Sequence, residues 1–145
     1  MTDQGSDTMG RFSVDMEVAN HLDVSKAAEG TLPPDKVRRV RLKGLVDTGA
    51  VRLILPPDVV KELGLPAAGE SAVRYADHRT ATLQRVSDAE VTLVGRTSSF
   101  TALVEPQRTD ALIGAIVLEE LDLLVDCAKQ ELVRRDPNTI VSEIE

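Results

Sequence analysis

Apolar and polar positions alternate over much of the chain, and this alternation predicts a series of short β-strands. Residues 11–19 show the period of two that is typical of a half-buried strand, through Phe12, Val14, Met16 and Val18. Further strands are predicted at residues 37–46, 51–55, 72–75, 80–83, 86–94, 99–104, 111–114, 123–127 and 131–135. Residues 20–34 are interpreted as a connection. Short strands at close spacing favour an all-β domain built as a closed barrel.

One or two short helices are expected within this barrel. Pro56-Pro57-Asp58 predicts the start of the first helix, because proline is tolerated in a first turn whose backbone N–H groups have no partner. Gly64 is placed to end it. A second short helix is predicted at residues 116–121, directly after the apolar strand that ends at Gly114.

Length and composition fit one domain with an aliphatic core. The chain has 145 residues, of which 42% are hydrophobic and only 2% aromatic, so Val, Leu, Ile and Ala must build the core. We expect a disordered tail at residues 1–10, the folded domain at 11–136, and a C-terminal tail or dimer-interface strand at 137–145. The net charge of −7 argues against nucleic acid or a membrane as a partner. The basic cluster at residues 36–43 is interpreted as a solvated strand face.

Cysteine usage and the N-terminal sequence indicate a cytoplasmic protein. Cys127 is the only cysteine, so an intrachain disulfide is impossible, and a reducing compartment is the default. Residues 1–10 are polar and lack the apolar stretch of a signal peptide. His78 has only the distant His21 as a companion and no ligand spacing. We therefore expect neither a metal nor another cofactor.

Asp47-Thr48-Gly49 is the candidate for chemistry, because it follows directly on a predicted apolar strand. A lone exposed aspartate is too acidic to act as a base, whereas two carboxylates held about 3 Å apart share a proton and can divide the roles of base and acid. Thr48 could fix the loop by hydrogen bonding, and Gly49 permits a tight backbone path. The tripeptide occurs once, so a pair would require a second copy of the chain across a two-fold axis. Alone, Asp-Thr-Gly is also a common turn tripeptide.

The sequence around this tripeptide resembles the retropepsin-like (retroviral-type) aspartic proteases, and especially the small bacterial members of that clan. The resemblance lies in Leu45-Val46-Asp47-Thr48-Gly49-Ala50 with the apolar run and helix after it, and in Ala111-Leu112-Ile113-Gly114 before the second helix. It extends over roughly residues 10–136. Two hallmarks at a plausible separation are more specific than either one alone.

The resemblance implies a homodimeric aspartic endopeptidase with a closed β fold, acting on peptide or protein substrates. Asp47 would be catalytic, with one copy from each chain, and Thr48, Gly49 and Ala50 would support the loop. Ile113 and Gly114 would form the second hallmark. A flap at residues 72–83 would cover the substrate, which would lie near Tyr75, Ala76, Asp77, His78 and Arg79.

This sequence departs from the retroviral pattern at three places. The flap turn contains no glycine. Val51 and Ala115 occupy the positions at which retroviral enzymes carry an acidic residue and an arginine that form an ion pair at the dimer interface. The segment 139–144, which could serve as an interface strand, contains acidic residues.

Two other interpretations remain open from the sequence. One is a non-catalytic member of the same fold that acts as a dimeric binding or scaffolding module. The other is a monomeric β domain in which Asp47 is only a turn residue. The aliphatic residues near the presumed cleft favour an apolar cleavage site, although the same residues also build the core.

Overall fold

Two antiparallel strands, Arg11–Asn20 (β1) and Arg39–Asp47 (β2), begin the computed structural model, which describes residues 11–145. Their register places Arg11 opposite Asp47. The alternation predicted for β1 is present, with buried side chains at Phe12, Met16 and Val18. The disordered tail predicted at residues 1–10 lies outside the described residues.

A helix, His21–Ala28 (α1), lies where the sequence predicted only a connection. Asn20 caps it, because its side chain accepts a hydrogen bond from the backbone N–H of Asp23 at 3.1 Å. The only buried residue of the helix is Asp23, so no apolar stripe marks it in the sequence. The interpretation of residues 20–34 as a connection was therefore wrong. A 3₁₀ turn, Pro34–Lys36, leads on to β2.

The strands after β2 are β3 (Leu53–Leu55), β4 (Ala67–Arg74), β5 (Thr80–Leu93), β6 (Arg96–Val104) and β7 (Ala111–Ile113). Six strands close into a barrel in the order β1-β2-β7-β3-β6-β5, since β5 also pairs with β1. The β2–β7 and β3–β6 pairs are parallel, and the other pairs of the barrel are antiparallel. The predicted closed all-β barrel is confirmed.

The strand β4 pairs with the first half of β5 to form a hairpin, and the second half of β5 belongs to the barrel. The sequence predicted two strands in place of β5, at residues 80–83 and 86–94. A register shift between Val86 and Ala89, with Asp88 at φ +62°, explains the break in the pattern. The strand bends there without ending.

Both predicted helices are present, as Pro57–Leu63 (α2) and Ala115–Leu121 (α3). Gly64 ends α2 at φ +61°, the left-handed conformation that glycine adopts without strain. With α1, the described chain has three helices, one more than expected. A separate hairpin of Leu123–Asp126 (β8) and Glu131–Arg134 (β9) follows α3.

The barrel interior is aliphatic, and its fully buried large side chains come from strands and helices alike. They include Val18, Val46, Leu53, Leu55, Leu63, Val91, Leu93, Ile113, Val117 and Leu121. Between residues 11 and 145, no helix has the length and apolar character needed to cross a membrane.

Residues 136–141 lie against the barrel, held by the buried Arg96. Its guanidinium donates to the carbonyl oxygens of Asp136 and Thr139, the latter at 2.7 Å. The carboxylate of Asp122 accepts from the backbone N–H of Val141 at 3.0 Å. The division into a domain at 11–136 and a tail or interface strand at 137–145 stays a prediction.

Candidate active site

Asp47 is the last residue of β2, which lies between β1 and β7. Its Oδ1 accepts a hydrogen bond from the N–H of Gly49 at 3.0 Å, and its backbone carbonyl accepts from Ala50 at 3.1 Å. These two bonds fold the loop back on itself and fix the carboxylate at the end of the strand. The Asp47 side chain is 18% exposed. A carboxylate so placed is oriented by its own loop while it stays open to a reactant.

Arg11, opposite Asp47 in the β1–β2 register, is the nearest positive charge to this carboxylate. The Nε of Arg11 lies 3.7 Å from Oδ2 of Asp47, and the arginine side chain is 56% exposed. A pair this long and this exposed is weakened by solvent. This pair was not predictable from the sequence, because it depends on the strand register.

Gly49 and Thr48 form the exposed edge of the loop. A Cβ on Gly49 would lie 3.3 Å from Oδ1 of Asp47, so a larger residue here would push against the carboxylate. The Thr48 side chain is exposed, whereas that of Val46, two residues earlier, is fully buried in the barrel. The residues that would meet a second copy of the loop are therefore accessible.

The second hallmark lies directly behind the loop. The N–H groups of Ala115 and Ile116, at the start of α3, donate to the carbonyls of Ala50 and Val51, each at 2.9 Å. The first N–H groups of a helix have no partner within it, so the loop satisfies two of them. A Cβ on Gly114 would lie 2.4 Å from the carbonyl oxygen of Arg52, which leaves room for glycine alone.

The predicted flap, residues 72–83, is the end of the β4–β5 hairpin and contains the turn at residues 76–79. The N–H of Tyr75 donates to the carbonyl of Arg79 at 2.8 Å, and the N–H of His78 donates to the carbonyl of Tyr75 at 2.9 Å. His78 has φ +70°, a position in such turns that glycine usually occupies. The turn therefore keeps the left-handed backbone conformation that suits glycine, although the residue at that position is His78. Ala76, Asp77, His78 and Arg79 are all exposed.

Charged and aromatic side chains connect this flap to the loop between β6 and β7. Arg79 contacts Asp77 at 2.8 Å, and its guanidinium carbon lies 4.6 Å from the centre of the Tyr75 ring. The Tyr75 hydroxyl donates to Oε2 of Glu105 at 2.7 Å. Arg108 Nε donates to Oε1 of the same carboxylate, also at 2.7 Å. We call the Tyr75–Glu105–Arg108 contact the flap latch.

The contacts of the flap latch shift the pKa values of Tyr75 and Glu105. The hydrogen bond to Glu105, with burial adding to it, raises the pKa of Tyr75. Burial disfavours the charged form of Glu105, but the hydrogen bonds from Tyr75 and Arg108 outweigh it and lower the pKa of that carboxyl. At the tip, hydrogen bonds from Arg79 lower the pKa of Asp77.

A polar groove of about 420 Å³ lies beside the β6–β7 loop, on the face of the sheet that carries Asp47. Leu45 is its only apolar lining residue. The apolar cleavage site favoured by the sequence stays a prediction. The polar lining residues are Ser13, Glu105, Gln107, Arg108, Thr109 and Asp110. This loop was not predicted as part of the site from the sequence, although its charged residues directly precede the second hallmark.

The fold brings the two hallmarks together but leaves the flap turn apart from the loop within one chain. Ile113 pairs with Val46 and Leu53, and so joins the strands on both sides of the loop. No hydrogen bond or ion pair between described residues joins the turn at residues 76–79 to Asp47. The catalytic, supporting and flap roles assigned from the sequence stay predictions.

The chain was also compared with known proteins. A family model described as Aspartyl protease matches residues 34–117, which is more than half of the chain. The match spans both hallmarks up to the start of α3, together with the flap hairpin. No curated protein matches the sequence.

Proposed function

Because the chain belongs to the aspartyl protease family, we propose that it is an endopeptidase that works as a homodimer, with one Asp47 from each copy forming the catalytic pair. The observation that carries the proposal is the position of Asp47. Its carboxylate is fixed at a strand end by its own loop and remains partly open, next to the exposed Thr48 and Gly49. One chain supplies one such carboxylate, so a second chain completes the pair.

The chemistry follows from two carboxylates that share one proton. The ionised member takes a proton from a water molecule while that water's oxygen bonds to the carbonyl carbon of the scissile peptide. The protonated member donates to the carbonyl oxygen, which gives a tetrahedral intermediate. When the C–N bond breaks, the proton held by the first carboxyl passes to the leaving nitrogen, and the second carboxylate takes a proton back from a hydroxyl of the intermediate as the product carboxyl group forms. The Asp47 pair then shares one proton again.

Exposed apolar side chains beside the loop support dimer formation. Val51 is 62% exposed and Ile116 38% exposed, and the backbones of these two residues are hydrogen-bonded to each other. They lie next to Thr48 and Gly49, where a second loop would approach. Apolar contact across the two-fold axis would take the place of the ion pair whose positions are occupied here by Val51 and Ala115. Burial of this surface would favour association.

The test is hydrolysis of a mixed peptide library by the full chain between about pH 4 and pH 7. We expect cleavage, and we expect Asp47→Asn to reduce its rate at least about 1000-fold. Asp35→Asn, which removes an exposed carboxylate of the 3₁₀ turn, is the matched control and should cleave like the wild type. A wild-type dimer that cleaves no peptide would instead favour a binding or scaffolding module.

A further inference from the structure

The polar groove begins two residues along β2 from the proposed catalytic carboxylate of Asp47. Leu45 and Asp47 are two residues apart on β2 and therefore face the same side of the sheet. Their partners on β1 are Ser13 and Arg11, so Ser13 and Leu45 place the groove about 7 Å from Asp47. An extended peptide advances roughly 3.3 Å per residue. A side chain within two residues of the scissile bond would therefore reach the groove.

The charges of this groove do not cancel. Arg108 and Glu105 form a 2.7 Å ion pair whose side chains are only 22% and 19% exposed, so each neutralises the other. Asp110 lines the same groove, is exposed, and forms no ion pair with any residue between 11 and 145. One carboxylate thus remains uncompensated. The chain as a whole carries a net charge of −7, which adds a long-range attraction for cations.

We infer that the groove binds a cationic side chain, lysine or arginine, of the peptide substrate, and that Asp110 is the residue that selects it. The inference rests on the proposed function, because it takes the groove as part of the substrate-binding cleft. The methylene stem of the cation would lie along Leu45, and its head would reach Asp110. Ser13 and Thr109 offer hydroxyl groups that can accept further hydrogen bonds from the same head.

An acidic side chain is the alternative occupant, with Arg108 as its partner. The structure disfavours this, because Arg108 already donates its Nε–H to Glu105. An incoming carboxylate would meet a cation that Glu105 already neutralises, and it would also face Asp110. The same groove would therefore repel an acidic residue near the scissile bond.

Binding to the Asp47→Asn chain tests the inference without relying on catalysis. Fluorescently labelled peptides would carry lysine, norleucine or glutamate in turn at each of the two positions on either side of one central bond. We expect the lysine peptide to bind about fivefold more tightly than the norleucine peptide at one position, and the glutamate peptide to bind more weakly than either. Asp110→Asn should abolish the preference for lysine, and Asp110→Glu should retain it. Asp58→Asn, an exposed carboxylate on α2, is the control.

The inference is overturned if no peptide binds, if lysine and norleucine bind equally, if glutamate is preferred, or if Asp110→Asn leaves the preference intact. Hydrolysis by the wild-type chain separates this result from the proposed function. Cleavage without a preference for basic residues would overturn the inference alone. Lysine-selective binding without any hydrolysis would overturn the proposed activity alone.

Discussion

At the scale of the single residue, the backbone that follows Asp47 lies too close to Gly114 to leave room for a side chain. Gly114 has φ −91° and ψ −177°, values open to any residue. Its requirement for glycine is therefore steric. The backbone of Val51 and Arg52 occupies the place of a Cβ, and the hydrogen bonds from α3 to the loop depend on this approach.

Gly114→Ala should destabilise the protein by about 2 kcal/mol, because backbone atoms must move to admit the methyl group. Gly69→Ala provides the comparison. A Cβ on Gly69 meets nothing within 4 Å, but its φ of +96° adds conformational strain of about 1 kcal/mol. Urea unfolding of both variants measures the difference. A smaller loss for Gly114→Ala than for Gly69→Ala would contradict the steric explanation.

At the scale of elements, the flap latch connects the β4–β5 hairpin to the loop between β6 and β7. Glu105 and Arg108 also line the polar groove, so the position of the flap and the shape of the groove depend on the same carboxylate. Opening of the proposed flap would break the hydrogen bond from Tyr75. The latch would then connect substrate access to the charge of Glu105.

Tyr75→Phe should loosen the flap, because it removes the hydroxyl group that donates to Glu105 and leaves the ring in place. A hydrogen bond to a charged group contributes about 1.5 kcal/mol, so amide hydrogen exchange in the turn at residues 76–79 should accelerate roughly tenfold. Thr92→Val is the control, since it removes an exposed hydroxyl contact with Thr97 on the barrel. Unchanged exchange in Tyr75→Phe would show that the latch does not restrain the flap.

Acid should weaken the same latch. The pKa of Glu105 is lowered in the folded chain from an ordinary value of 4.5, so ionisation of this carboxyl favours the folded state. That contribution is complete above pH 4.5 and is lost as the pH falls through the lowered pKa. Exchange in the turn of the wild type, corrected for its intrinsic pH dependence, should therefore accelerate below that pH, and in Tyr75→Phe it should change less. An equal acceleration in both would contradict this.

The sequence predicted those elements whose signal is local. Phe12, Met16 and Val18 alternate, and Gly64 follows an apolar stripe, so β1 and the end of α2 were predictable. The helix α1 was not, because its one buried residue is Asp23 and its cap depends on Asn20 alone. The groove could not be predicted either, since Ser13 meets the β6–β7 loop only through the strand register. Asp47 was predictable as a candidate site residue because the residues of its loop motif are consecutive in the sequence.

At the scale of the whole molecule, exposed apolar side chains lie at both ends of the barrel. Val51 and Ile116 flank the Asp47 loop. The opposite end of β1 and β2 carries α1, on which Leu22 is 43% exposed. The two ends of the barrel thus offer comparable apolar residues, of which only one set lies beside the Asp47 loop. The homodimer proposal predicts that the two sets differ in their effect on association.

Val51→Lys should weaken the dimer at least about tenfold, because it places two like charges near each other across the axis. Analytical ultracentrifugation would follow the shift from twice the 15.7 kDa chain mass towards the single chain. Leu22→Lys makes the same change at the far end of the barrel and should leave association unaltered. Equal effects of the two variants, or none from Val51→Lys, would contradict this placement of the interface.

The most direct test of the account is whether activity requires Asp47 from two chains. Wild-type chains refolded together with a ninefold excess of Asp47→Asn chains would mostly form mixed dimers. If each active site needs both carboxylates, peptide cleavage per wild-type chain should fall to about one tenth, following the fraction of wild-type pairs. If cleavage per wild-type chain is the same at every ratio, a single chain holds a complete site, and the proposed Asp47 pair is wrong.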